Sequence, residues 1–333
     1  MFQGFDLLDI VPLEVEHASK AEYAYRLYGG VKPEATRAEP ASLEKTQDIA
    51  AALRDMISAC LLHVQANVPG AVAGLNEEYL HQVRVGLRRL CVALATAKRY
   101  RQDPELSALH KEVADLCTEL GRAREWDVFV TQTLAPIRAK LPDHAGLREL
   151  MRASEKIRTQ HHVPMQASLA SQDFQRLLLR LGRWMQGGYW QPAPADGGAS
   201  LAAFAAQVLT RRSRQAERRG KQYAKGTAAE LDARMHALRI SCKKLRYSAE
   251  MFAPLFGVGK TRRYLASLAG LQDIMGMLND ISIARRLLDE MHTEKRHDTH
   301  ALIHGWLQHD RAEQMTELKR AWKRFAGQGA FWD

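Results

Sequence analysis

His81-Gln82-Val83-Arg84-Val85-Gly86-Leu87-Arg88-Arg89-Leu90 returns 155 residues later as His236-Ala237-Leu238-Arg239-Ile240-Ser241-Cys242-Lys243-Lys244-Leu245. Both copies fit HxxR[VI]xx[RK][RK]L. Forty residues after each histidine a glycine follows Leu or Met, as Leu120-Gly121 and Met275-Gly276, so two connected helices keep one register without a gap. A short motif can recur by chance, but a register held that far marks an internal duplication.

The repeated stretch reads as a helix with two opposed faces. At about 100° per residue from His81, Arg84 and Arg88 fall within about 60° of it, while Val83, Leu87, Leu90 and Leu94 gather between about 180° and 240°. In the second copy His236, Arg239, Lys243 and Arg246 share one side, and Leu238, Cys242, Leu245 and Ala249 share the other. Arg89 and Lys244 flank the cationic stripe at about +80°, within reach of a ligand lying along it. No Asp or Glu occurs between His81 and Gln102 or between Ala233 and Ala249. A solvated helix face is the plain reading of a single basic stripe. Such a face normally intersperses acids, however, and undiluted like charge repels itself unless an anion fills it.

Composition points the same way. Among 333 residues, 48 Lys and Arg face 38 Asp and Glu, a net charge of +10, with 46% hydrophobic and 26% charged residues. Those values fit a globular chain and argue against disorder. Aromatics at 7% and long runs rich in Ala, Leu, Arg, Gln and Glu favour helix over strand. Cys60, Cys91, Cys117 and Cys242 form no CxxC pair, so reduced thiols are expected and no zinc site. The first residues meet an acid before any basic run, and no stretch reads as a membrane span. The expectation is a cytoplasmic protein that does not engage membrane.

Four regions follow. Residues 1–41 hold scattered Pro and Gly and read as an irregular arm. Residues 42–185 form a first helical half, starting with Ser42 as N-cap and an unbroken run from Leu43 to Asn67, with breaks at Pro69-Gly70, Asp103-Pro104, Gly121 and Pro142. Residues 186–199, rich in Gly and Pro, read as a linker, and 200–333 form the second half. Before the second motif, Arg211, Arg214 and Arg218 share a helix face, whereas the run from Leu43 to Asn67 has only Lys45 and Arg54. The C-terminal half is therefore expected to contribute more to binding an anion.

The paired motifs, together with Leu120-Gly121-Arg122-Ala123-Arg124-Glu125-Trp126-Asp127-Val128, Arg246-Tyr247 and Gly276-Met277-Leu278-Asn279-Asp280, resemble the CHAD (conserved histidine α-helical domain) family over residues 42–326. The resemblance implies an all-α fold of two four-helix bundles related by pseudo-two-fold symmetry, with a basic central cavity or pore that binds inorganic polyphosphate. Carried over, the binding residues are His81, Arg84, Arg88, Arg89 and Arg124 in the first copy, and His236, Arg239, Lys243, Lys244 and Arg246 in the second, with Arg211, Arg214 and Arg218 added from the basic run. Glu125, Asp127 and Asp280 follow the glycine breaks at Gly121 and Gly276, at the start of a helix, and either cap helices or orient the arginines. The family tends to place Arg where Cys91 stands and Asp where Glu125 stands. His17 to Leu27 is similar to the end of a CYTH (triphosphate tunnel) domain, but Glu14-Val15-Glu16 leads into His17 without completing ExExK, so a remnant arm without triphosphatase activity is expected.

Polyphosphate carries roughly one negative charge per unit and presents no base edge. Its receptor therefore calls for cations spaced along a path: Arg forks two oxygens, Lys acts as a point charge, and His becomes a charged donor as pH falls. Non-catalytic binding, without cofactor or metal, with targeting to polyphosphate granules, is the expected role. A metal-dependent phosphohydrolase with His81 and His236 as ligands is one alternative, although the surrounding cations would repel a metal. A nucleic-acid-binding helical protein is the other, although no helix-turn-helix, RNP or zinc motif occurs and the stripes lack stacking aromatics. The histidines His292, His297, His300, His304 and His309 lack an HExxH pattern and read as a solvated helix face. Trp184, Trp306 and Trp322 read as core.

Overall fold

A computed structural model describes residues 20, 21, 24, 28, 34–187, 190, 200–227, 230–291 and 297–333. Most of the CYTH-like stretch, most of the expected linker and His292 lie outside these. Among the described residues the chain is helical, with no strand. The helices are α1 (Ile49–Val72), α2 (Glu77–Tyr100), α3 (Pro104–Glu119), α4 (Gly121–Val128), α5 (Ala135–Lys140), α6 (Ala145–Leu169), α7 (Gln172–Gln186), α8 (Leu201–Ala224), α9 (Leu231–Phe252), α10 (Val258–Glu290) and α11 (His297–Ala326). A π-helical segment, Phe129–Leu134, joins α4 to α5.

Local chemistry sets most boundaries. Asn76 caps α2, accepting the Glu78 N–H at 3.0 Å, with Glu77 and Glu78 in the first turn and Lys98 and Arg99 in the last, as the helix dipole favours. Asp103 caps α3 ahead of Pro104, accepting from the Leu106 N–H at 2.7 Å. Two boundaries differ from the sequence reading. The first helix starts at Ile49, where Asp48 accepts the Ala51 N–H at 3.1 Å, and Ser42 lies in the coil before it. Gly276 breaks nothing: it sits inside the 33-residue α10, and a Cβ there would meet no neighbour within 4 Å.

The chain forms two compact units. Of the described residues, the first takes those up to Ser42, 47–124 and those from 160 to 190, and the second takes 43–46, 125–159 and those from 200 to 333. In the first, α1 packs on α2, α2 on α3 and α3 on α7; in the second, α8 packs on α9, α9 on α10 and α10 on α11. The neighbour order of α1–α2–α3 thus recurs in α8–α9–α10, the helices that carry the duplicated sequence. Residues 125–159 depart from the division into sequence halves. They join the second unit because Trp126, Phe129, Leu134, Ile137, Leu147 and Leu150 bury themselves against Ile281, Leu287, Leu288, Ile303 and Leu307. Burying one such side chain is worth roughly 1.5–3 kcal/mol, so this cluster outweighs any preference for the sequence-adjacent unit. Trp126 and Phe129 meet edge to face at 5.7 Å.

By length and composition α1 is apolar enough to cross a membrane, which the sequence reading did not register. Its Leu53, Met56, Ile57, Cys60 and Val64 are instead buried, as in a core helix facing α2. Gly86 permits that approach, since a Cβ there would stand 2.6 Å from a Val64 methyl.

Candidate functional site

The opposed faces of α2 are realised. Val83, Leu87, Leu90 and Leu94 are buried, while His81, Arg84 and Arg88 are half-buried on the other side. Arg84 donates from Nη1 to the Cys117 carbonyl at 2.5 Å, so its guanidinium closes the end of α3, whose last carbonyls have no helical partners. Its head also lies over Gly121, 3.5 Å from where a Cβ would stand. The same turn of chain delivers Arg124 from α4 to the His81 ring. Arg84, Arg88 and Arg124 thus surround one imidazole.

The ring registers that crowd. Burial first, then Arg124, Arg88 and Arg84, push the His81 pKa down to about 4, against an opposing contribution from Glu78. At neutral pH the imidazole is therefore uncharged, and the positive potential resides on three guanidinium groups. Arg88 Nε is buried and, among the described residues, has no hydrogen-bond partner. It is a donor that an anionic oxygen would satisfy.

Arg89 is placed elsewhere. Its side chain is only 8% exposed and faces α1, hydrogen-bonded to the Cys60 thiol and close to His63. Position 89 lies between the two faces, and here the long side chain follows the interhelical seam inward. Its counterpart Lys244 is exposed. Next to Arg89, His63 Nε2 lies 3.0 Å from both the Thr36 carbonyl and Gln82 Oε1, and Gln82 Nε2 donates to Glu78 at 2.6 Å. This buried network ties the end of the N-terminal arm to α1 and α2.

The second copy repeats the frame with different groups. His236 is hydrogen-bonded to the Asn279 side chain and lies beside Arg239 and Lys243; partial desolvation, then Arg239, lower its pKa, while Asn279 opposes the shift. Asn279 follows His236 by the same 43 residues that separate Arg124 from His81, and that spacing was the signal in the sequence by which it could have been found. Arg246 is held by Glu250 at 2.6 Å and reaches Gln272 Oε1 at 3.5 Å, and Gln272 Nε2 donates to the Cys242 carbonyl at 2.7 Å. Arg211, Arg214 and Arg218 lie exposed on α8.

The carboxylates separate. Glu125 binds Arg286 at 2.6 Å, and Asp127, fully buried, accepts from Arg158 Nε at 2.7 Å; neither of these arginines is on α2 or α9. Asp280 lies beside Asn279, which donates to it at 3.3 Å. Among the described residues no group of three or more His, Cys, Asp or Glu could hold a metal ion. In the histidine-rich segment His304 pairs with Asp289 at 2.9 Å, whereas His300 is only 2% exposed and so is not part of a solvated face.

Fold and site together define an all-α protein built on a duplicated cationic helix. Residues 55–289 match the sequence profile of the CHAD domain, and the chain belongs to that family. It is similar to the crystal structure of the CHAD domain from the plant Ricinus communis, at 30% identity and a TM-score of 0.76, covering 89% of this chain and 98% of that one. It is also similar to PptA from Streptomyces chartreusis, at 15% identity and a TM-score of 0.61, covering 83% of this chain and 100% of that one, a likeness of fold alone. No curated protein sequence matches it.

Proposed function

We propose that this protein binds inorganic polyphosphate, without hydrolysing it, through the cationic ridges of α2 and α9. The observation that carries this reading is the first ridge, where the charges of Arg84, Arg88 and Arg124 act together on His81. The recurrence of the frame around His236 supports a ligand that is itself repetitive. Family membership agrees with this reading. In the finer form of the proposal the protein acts in the cytoplasm at polyphosphate granules.

Competition tests the ligand class. Inorganic polyphosphate should displace labelled polyphosphate at lower charge concentration than single-stranded RNA or duplex DNA, and the reverse order would favour nucleic acid. Incubation with Mg²⁺ or Mn²⁺ should release no orthophosphate from polyphosphate; release lost on replacing His81 or His236 would make the protein a hydrolase.

A further inference from the structure

The two ridges are not equivalent. Where the first presents Arg124 to its histidine, the second presents Asn279. The first ridge sets three guanidinium groups about its histidine, of which Arg84 also donates to the Cys117 carbonyl, and Arg88 Nε is a buried donor without a partner among the described residues. In the second, Lys243 replaces the arginine at that position, Glu250 holds Arg246 at 2.6 Å, and Asp280 stands next to Asn279. The second histidine is exposed where the first is half-buried. The replacements of Arg124 by Asn279 and of Arg88 by Lys243 act in the same direction. Guanidinium forks hold phosphate oxygens bidentately where an ammonium offers a point charge, partial burial strengthens each contact, and a nearby carboxylate offsets it.

Resting on the polyphosphate reading, we infer that the first ridge is the stronger subsite, which takes a short run of phosphates by itself, and that the second is a weaker, more salt-screened one. Arg124 against Asn279 is the residue difference that sets the order. This reverses the expectation, drawn from the basic run at Arg211 to Arg218, that the C-terminal half dominates. Those arginines are exposed on α8, where salt screens them most.

Calorimetric titration of the full chain with tripolyphosphate tests the inference, with long-chain polyphosphate titrated alongside. Wild type should bind one tripolyphosphate. Arg124→Asn should weaken it by about tenfold or more, and Lys243→Ala by less than about threefold. Asn279→Arg should add a second tripolyphosphate site, a gain that a folding defect cannot imitate. Equal losses in Arg124→Asn and Lys243→Ala, or no second site in Asn279→Arg, would overturn the ordering while long-chain binding left the polyphosphate reading intact. Failure of long-chain polyphosphate to bind wild type would remove that reading itself, and the inference with it.

Discussion

Replacing His81 by Gln should make the protein less sensitive to acid. The His81 ring titrates at about 4 in the folded protein, because burial and then Arg124, Arg88 and Arg84 disfavour its charged form. In the unfolded chain a histidine titrates near 6.5. Between these values the unfolded state binds the extra proton, so stability is intact above about pH 6.5 and falls as pH drops towards 4. The full linkage amounts to about 3 kcal/mol. Because the ring is only half-buried, solvent screening reduces this to roughly 1–2 kcal/mol. Urea denaturation of wild type and His81→Gln at pH 7.5 and pH 4.5 measures it: wild type should lose roughly 1–2 kcal/mol more than the variant over that interval. Bound polyanion should raise the His81 pKa, so affinity should increase as pH falls towards the free ring's value of about 4. Superimposable pH profiles for the two proteins, or a His81 NMR titration centred near 6.5, would refute the reasoning.

Other outcomes follow from the same structure. Arg158→Met removes the ion-pair partner of fully buried Asp127 and should cost about 3–5 kcal/mol in thermal denaturation, whereas Arg152→Ala, at an exposed position, should change stability by less than about 0.5 kcal/mol; equal effects would contradict the buried pair. Gly86→Ala puts a Cβ 2.6 Å from Val64 and should destabilise by about 1–3 kcal/mol, while Gly276→Ala, inside a helix with open space around it, should stabilise by roughly 0.5–1 kcal/mol. Burial raises the thiol pKa of Cys60 to about 11 and of Cys242 to about 12, so at pH 8 a thiol reagent should label Cys91 and Cys117 first, as peptide mapping would show.

What could be read from the sequence was what periodicity and register encode. The stripe Val83, Leu87, Leu90 and Leu94 is buried because helical spacing fixes its direction, and the 155-residue offset also held the 43-residue spacing that pairs His236 with Asn279, which the motif alone did not single out. Arg89 was harder to place. Between two faces, a few degrees of helix rotation and a flexible stem decide whether a cation points to water or into a seam. The packing of 125–159 with the second unit was also hidden, because Trp126, Phe129 and Leu134 show that the segment has a buried face but not which helices cover it. Glycine misled at Gly276, where the residue is tolerated within a helix, and composition misled at His300, whose burial depends on tertiary contacts. The π-helical turn at Phe129–Leu134 leaves no mark in the residue pattern.

Titration of the intact protein with long-chain inorganic polyphosphate at about 50 and 200 mM salt, beside a variant carrying Arg88→Ala and Lys243→Ala, addresses the central claim most directly. Saturable binding that weakens by at least about tenfold at the higher salt, and that is largely lost in the variant, is the predicted result. Binding of equal strength in wild type and variant, or none in either, would contradict it.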